Sequence, residues 1–407
     1  MNIVLRLAWR NLWRHARRTW LTIGAMVFSN TLLVFMISFQ FSMYGLMIDN
    51  TLQVFTGHMQ VQAPGYKDDQ KMRQVVPDVQ PLAERLRREL DSETIAARGW
   101  AFGLASSEDR SYGIGIYGVE PEYEGKVSNI PGLIEDGQYL DRSDAMEIVI
   151  GGMLARNLRV GVGDELTILG SGLDGSFAAA VVTIVGVFDS GVKEIDRNIA
   201  EMPLAAFQDV FFMNGAGHQV VILAPTLDEA PRVQQQVAAT LLDDLVVHDW
   251  VALQPGLKQA IQADMSSAFF MYGILVILVA FSVLNTQLMS VLERTHEFGV
   301  VMALGMRPGR LGRLVMLETT LMGLIGFLFG AAAGALLTYW FSVNGLSYPG
   351  MEEMVANFNL PGRVYPQVSL LKTAFGPAVV FLFTLLAAVY PAWRLRRLHP
   401  VEAMRTV

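Results

Sequence analysis

Four stretches of this chain carry no charged residue over a length that suits a lipid bilayer: Thr19 to Ile48, Met265 to Leu292, Thr319 to Met351 and Thr373 to Trp393. A helix needs about 20 predominantly apolar residues to cross the hydrocarbon layer, so each run is long enough to span it. With 52% apolar residues, 17% charged residues and a mean hydropathy of +0.36, the 407-residue chain is too apolar for an ordinary soluble enzyme. The expected fold class is an α-helical membrane protein with four transmembrane helices. A large mixed α/β extracytoplasmic domain is expected between helices 1 and 2.

Orientation follows from the basic residues. Arg6, Arg10, Arg14, Arg17 and Arg18 precede the first run, Arg294, Arg307, Arg310 and Arg313 separate the second from the third, and Arg394, Arg396, Arg397 and Arg405 follow the fourth. The positive-inside rule makes all three segments cytoplasmic. Residues 49–264 then lie outside, and they hold 16 Lys+Arg against 32 Asp+Glu, which argues against nucleic acid as a partner there. The chain has no cysteine, so this exported domain must rely on its own core rather than on disulfides.

These constraints divide the chain as follows. A cytoplasmic amphipathic N-terminal helix (1–18) precedes span one (19–48), the periplasmic α/β domain (49–264, as two subdomains divided near 145 and 225) and span two (265–292). A cytoplasmic segment (293–313), span three (314–343), an outer loop (344–371), span four (372–393) and a cytoplasmic tail (394–407) complete it. The first run exceeds the 7 to 15 residues of a cleavable signal core and lacks Ala-x-Ala at its end, so it reads as a permanent span. Before it, Arg6, Arg10, Arg14 and Arg17 recur at helical spacing opposite Leu5, Trp9, Leu12 and Ala16. This is either a helix in the headgroup layer or simply a topogenic basic flank.

In the external segment, alternating or β-rich runs predict strands at His58–Ala63, Tyr112–Val119, Glu147–Ile150, Glu165–Leu169, Val181–Phe188, Gln219–Leu223 and Val246–His248. Helical patterns lie at Pro81–Leu90, Met153–Leu158, Leu204–Met213 and Asp228–Leu242. The six histidines are scattered without metal-ligand spacing, there is no nucleophile elbow, and Gly125-Lys126 lacks the rest of a phosphate loop. Glu120, Glu122 and Glu124 read as a solvated face rather than a calcium site. No catalytic residue, metal or cofactor is expected on this chain.

IVIGGMLARNLRVGVGDELTILG with VVTIVGVFDSGVKEID, and GHMQVQAPGY just after span one, resemble the external domain of MacB/LolE/FtsX-type permeases of ATP-binding cassette transporters. ERTHEFGVVMALG at Glu293–Gly305 resembles the signature of that family, and VYPAWRLRRLHPVEAMR resembles its C-terminus. In the family the segment after span two is the contact with a cytoplasmic ATPase. The resemblance therefore implies coupling roles for Glu293, Arg294, Glu297, Gly299, Val301, Ala303, Leu304 and Gly305. Physically, the segment reads as a short helix with Glu297, Val300 or Val301, and Leu304 on one side, bounded by Gly305 and by Pro308, which suits the first turn of the next helix. The alternative is a basic loop that only fixes topology. Thr295, His296 and Met302 stand where the family often carries basic residues.

Glu318 lies a turn or so inside span three, where an acid needs a partner, and Arg310 or Arg313 are within snorkelling reach. Gly323, Gly326, Gly330 and Gly334 offer a small-residue seam for close helix packing. Phe39, Phe41 and Met43 at the outer end of span one, with Phe269, Phe270 and Met271 at that of span two, are interfacial anchors or contacts for lipid or substrate acyl chains. The outer loop, with Glu352 and Glu353, is expected to pack beneath the large domain.

The resemblance implies an inner-membrane permease driven by a cytoplasmic ABC ATPase dimer that binds ATP and Mg. A second permease copy or paralogue, membrane lipid, and a periplasmic lipoprotein carrier or other envelope protein are the further expected partners. Extraction or expulsion of a lipoprotein, lipid or amphiphile is the leading function. A mechanical regulator of a cell-wall hydrolase and drug or peptide efflux are the alternatives. A membrane-anchored enzyme is disfavoured by the missing catalytic set.

Overall fold

The computed structural model describes residues 3–14, 16–241, 244–347 and 363–395. The N-terminal helix α1 (Ile3–Arg14) is followed by α2 (Ala16–Thr51), which closes in a π turn, Leu52–Thr56. Next come β1 (Met59–Gln62), α3 (Val79–Leu90), β2 (Ile95–Ser106), β3 (Ser111–Val119), α4 (Pro121–Val127), β4 (Ile134–Gly137) and β5 (Glu147–Gly151). They are followed by α5 (Gly152–Leu158), β6 (Glu165–Ser171), β7 (Phe177–Phe188), α6 (Lys193–Asn198), β8 (Ile199–Pro203), α7 (Leu204–Val210) and β9 (Gln219–Ile222). After α8 (Ala230–Thr240), β10 (Val246–Asp249) and α9 (Trp250–Leu253), three long or linking helices follow: α10 (Pro255–Glu293), α11 (Thr295–Ala303) and α12 (Pro308–Asn344). The last described helix is α13 (Leu370–Leu395).

The described residues divide into two compact units, one built from residues 3–44, 261–347 and 363–395, the other from residues 45–260. Four helices of the described residues are long and apolar enough to cross a membrane, and they correspond to the four uncharged runs. All four begin before their uncharged runs, and the third, α12, which starts eleven residues before Thr319, ends at Asn344 and so stops short of Met351. α2 reaches Thr51 rather than Ile48, and α10 begins at Pro255, ten residues before Met265. Charge marks where a helix leaves hydrocarbon, whereas its hydrogen bonds continue wherever the backbone stays helical. Spans three and four likewise lie within longer helices, 308–344 and 370–395. Most of the outer loop, including Glu352 and Glu353, and the tail beyond Leu395 lie outside the described residues.

Glycines decide how the helical unit packs. A Cβ on Gly326, Gly330 or Gly334 would stand 2.7, 2.4 and 2.6 Å from carbon atoms of Met26, Asn30 and Val34, so α12 meets α2 at backbone distance along these three positions. Gly323 instead faces Phe381 of α13, at 2.9 Å. The close approach lets polar side chains of α2 reach across. Asn30 donates to the Gly326 carbonyl at 3.1 Å, which a bilayer would otherwise leave to its own helix. At the outer end of this unit, Tyr44 donates to Asp264 at 2.6 Å and Tyr272 to Gln40 at 2.6 Å, tying α2 to α10.

The second unit is a ten-stranded mixed sheet in the order β10-β1-β9-β2-β3-β8-β5-β7-β4, with β6 pairing β2 and β7. Seven strands fall on the expected runs. β2, β4 and β8 were not expected, and β2 is the spine: Ile95–Arg98 pairs β9, Arg98–Ser106 pairs β3, and its end also pairs β6. The expected division near 145 and 225 is therefore corrected. The pairing changes at Arg98 within one continuous strand, and β3 and β4 lie with β5–β8 rather than with β1. β2 escaped notice because its sequence, IAARGWAFGLAS, is poor in β-branched residues. Small residues are needed there, since a Cβ on Gly99 would lie 2.3 Å from the ring of Phe207, and one on Gly118 of β3 2.5 Å from that side chain.

Glu120 and Glu124 are also corrected. Glu120, the residue that caps α4, and Glu124 within it both face inward rather than to solvent, where Glu120 meets Arg87 and Glu124 meets Arg98; Glu122 alone of the three is exposed. Nearby, buried Glu201 accepts a hydrogen bond from Tyr139 at 2.7 Å. Burial, reinforced by the Glu124 carboxylate, raises its carboxyl from 4.5 to about 8.

Two outcomes are expected. Gly330→Leu should destabilise the detergent-solubilised protein by about 1–3 kcal/mol or more, read as a drop in Tm of several degrees. For Glu201, the unfolded chain gives up its proton near 4.5 and the folded chain near 8, so the stability present below 4.5 falls as pH rises through that window. Glu201→Gln should flatten the Tm-against-pH curve there and give a Tm at pH about 8 higher than wild type by a few degrees. Parallel curves would refute this reading of Glu201.

Candidate functional site

The segment between the second and third long helices is a short helix bounded by two breaks. α10 ends at Glu293, and Arg294, with φ −100° and ψ 9°, turns the chain into α11. At the other end Gly305 adopts φ +96°, a conformation that favours glycine, and Pro308 opens α12 at its first position. Phe298 and Met302 point inward from α11 and pack with Val291, Leu311, Val315 and Leu395, while Val301 lies at the edge of this cluster. Gly299 is also buried. The outward face carries His296, Val300 and Ala303, and beyond the helix Leu304, 84% exposed, and Gly305.

Beneath the helix lies an ionic anchor. Arg294 donates to both oxygens of Glu318 at 3.2 and 3.3 Å, and Asn11 of α1 donates to the same carboxylate at 2.8 Å. Both members of the pair are buried, and the Arg294 guanidinium also sits 4.9 Å above the Phe298 ring. The expected partners of Glu318, Arg310 and Arg313, are replaced by Arg294. The break after α10 turns Arg294 back toward α12, an approach that counting residues along α12 alone does not reveal. A cavity of about 30 Å³ lined by Asn11, Arg18, Gln287, Arg294 and Glu318 adjoins the pair and is roomy enough for a water.

Two further pairs lie at the surface. Arg14 of α1 grips Glu297 with contacts of 2.8 and 3.2 Å, and Arg18 of α2 grips Glu293 with contacts of 2.8 and 3.1 Å. Of the eight residues assigned to coupling by resemblance, Glu293, Arg294 and Glu297 are thus engaged within the chain, and Gly299 and Val301 face inward. Ala303, Leu304 and Gly305 are the ones left outward-facing. The role of α1 was not readable from the sequence, because its partners lie nearly 300 residues away.

α1 itself differs from the amphipathic pattern. Ala8 and Leu12 form its buried line, with Leu12 packed on Ile23 and Met322. Trp9, expected beside Leu12, turns outward and meets Trp13 edge-to-face at 5.7 Å between ring centres, and Trp13 lies tilted against Trp20 at 5.6 Å. Residues 8 and 12 follow one helical line and 9 and 13 the next, so docking one line against a neighbour exposes the other. At the outer ends, Phe41, Phe269, Phe270 and Met271 are exposed, Phe39 is half-buried against Phe35, and Met43 is buried at 7% exposure. Met43 is therefore withdrawn as a lipid contact: its helix face turns inward. Among the described residues no group of three His, Asp or Glu side chains is arranged to hold a metal ion.

Residues 19–240 match the family model described as MacB-like periplasmic core domain, more than half of the chain, and residues 269–400 match that described as FtsX-like permease C-terminal, which includes α11 and its flanks. The chain belongs to the MacB/FtsX family of permeases. The permease is 27% identical over 301 residues to the lipoprotein-releasing system transmembrane protein LolC of Xylella fastidiosa, covering 71% of this chain and 72% of that one. It is 24% identical over 304 residues to LolE of Haemophilus influenzae, 71% of each chain, and 33% identical over 132 residues to the macrolide export ATP-binding/permease protein MacB of Sodalis glossinidius, 30% of this chain and 16% of that one. It is an ABC transporter permease of the MacB/LolC/FtsX type, with four candidate transmembrane helices and an α/β periplasmic-type domain between the first two.

The buried anchor of the permease can be tested by a double-mutant cycle. Arg294→Met alone should destabilise by about 3–5 kcal/mol, because it strands the Glu318 carboxylate, whereas Arg294→Met combined with Glu318→Leu should recover most of that loss. Additive effects measured by thermal unfolding in detergent would show that the two side chains act independently.

Proposed function

We propose that the permease transmits ATP-driven motion from a separate cytoplasmic ABC ATPase dimer, which binds the ATP and Mg, to its own external domain in the inner membrane. It works with a second permease copy or paralogue and releases a lipoprotein or related acylated amphiphile from the outer leaflet, to a periplasmic carrier or other envelope protein. The chain itself carries out no covalent chemistry. The observation that carries the coupling half is the protruding tip of α11. Val300 on the helix and Leu304 just past its end are large apolar side chains held outward, while the helix's other face is anchored by packing and its surroundings by three arginine–carboxylate pairs. An exposed apolar knob on a rigid base suits insertion into a groove of a partner.

The substrate half is supported by the relatives named as lipoprotein-releasing proteins and by apolar side chains at the outer ends of the first two spans. Phe41, Phe269, Phe270 and Met271 are exposed there, with Phe270 at 73%. They offer acyl chains a surface that the polar clamp of Gln40, Tyr44, Asp264 and Tyr272 does not fill.

Leu304→Asp should leave insertion and folding intact, since the side chain touches little, yet lower ATP hydrolysis by the assembled complex by about tenfold or more through loss of a buried apolar contact. Unchanged hydrolysis would overturn the coupling role. A photo-crosslinking residue at Phe270 should label lipid or lipoprotein in native membranes, while one at buried Met43 should label the permease itself. Capture only of other proteins at Phe270 would favour a regulator over a transporter.

A further inference from the structure

The turn that ends α2 takes most of its hydrogen-bond partners from elements of the β-domain. In the π turn Leu52–Thr56, each carbonyl is caught by a different group. Leu52 accepts from the Gly57 amide at 2.8 Å, Gln53 from the Asn129 amide at 2.9 Å, Val54 from the Ser128 hydroxyl at 2.8 Å, Phe55 from the Arg98 guanidinium, and Thr56 from the Gln60 side chain at 2.7 Å. The last carbonyls of a helix have no partners of their own, and here four of the five are claimed by β1, β2 and the end of α4. The hydroxyl of Thr56 in turn accepts from Gln254 at 3.1 Å, the residue immediately before α10 begins.

Arg98 is the centre of this joint. It has no exposure to solvent, lies at the point of β2 where pairing passes from β9 to β3, and is gripped through Nε and Nη2 by the equally buried Glu124. Its guanidinium also lies 4.4 Å from the centre of the Phe55 ring. A guanidinium has donors in a fixed fork, so while Glu124 holds two of them a third is aimed at the Phe55 carbonyl.

We propose that Arg98 is a positioning residue of the transport cycle: clamped by Glu124, it pins the π turn to the sheet, so that the end of α2, the start of α10 and the β-domain move as one body. This rests on the coupling role assigned to α11, because a pin matters when the helices are driven.

The test uses the full-length permease assembled with its ATPase in lipid nanodiscs. The chain has no cysteine, so Met47→Cys and Glu108→Cys give unique sites for spin labels, one on α2 and one on the β2–β3 turn. Wild type should show one narrow distance distribution with and without ATP turnover. Arg98→Lys keeps a charge opposite Glu124 but cannot hold it bidentately and reach Phe55 as well, so its distribution should widen at least about twofold under turnover, with hydrolysis still stimulated. Ser128→Ala, which removes one peripheral partner, should widen it in the same sense and serves where Arg98→Lys fails to fold. A distribution as narrow as wild type in the folded variants, or equal widening with and without ATP, overturns the proposal, the latter by reducing Arg98 to a merely structural residue. Leu304→Asp separates the two ideas: normal hydrolysis in that variant defeats the coupling role, whereas the label distances of the Arg98 and Ser128 variants judge the pin.

Discussion

A charged arginine cannot be left alone away from water, and each unit of this permease is organised around one that is not. In the β-domain, Arg98 is held by Glu124 and by a backbone carbonyl; in the helical unit, Arg294 is held by Glu318 with help from Asn11. Taking such groups out of water is expensive, and the attraction between them recovers it only when the geometry is good and the remaining donors are used. Each pair therefore brings several elements to one place: β2, α4 and the π turn in one case, and α1, α12 and the break between α10 and α11 in the other.

The two anchors sit at the positions where long helices stop being straight. α10 breaks at Arg294, and α2 loosens into a π turn beside Arg98. Elsewhere the helices are stiffened by contact at backbone distance, as along Gly326, Gly330 and Gly334 against α2. Rigid rods with anchored ends are what a machine needs if motion delivered at one end is to arrive at the other rather than dissipate in bending. The exposed tip at Leu304 and the exposed rings at the outer ends of the spans are then the places left for partners and lipid.

Much of the strand pattern was visible because half-buried strands alternate, as in Glu165–Ser171 and Ser111–Val119. The spine β2 was invisible for the opposite reason. Its inward positions are small because Phe207 packs onto Gly99 from a helix about a hundred residues away, so the residues that make the strand central also erase its signal. The same reasoning applies to Glu120 and Glu124, which looked solvated because acids usually are. Only the arrival of Arg87 and Arg98 from other elements made their burial possible.

At the elbow, local chemistry was readable and partnership was not. The breaks at Gly305 and Pro308 and the apolar tip at Leu304 follow from residues within a dozen positions of one another. By contrast, Glu293 and Glu297 are engaged by Arg18 and Arg14, and Glu318 by Arg294, through approaches that depend on how α1, α2 and α12 pack. The sequence by itself determined the four spans, the position of the external domain between the first two, and the family, because hydrophobic length and motif are properties of contiguous residues. The tertiary structure alone decided which charges are buried, which strand is central and which face of the elbow remains free, because each of these depends on a neighbour supplied from a distant part of the chain.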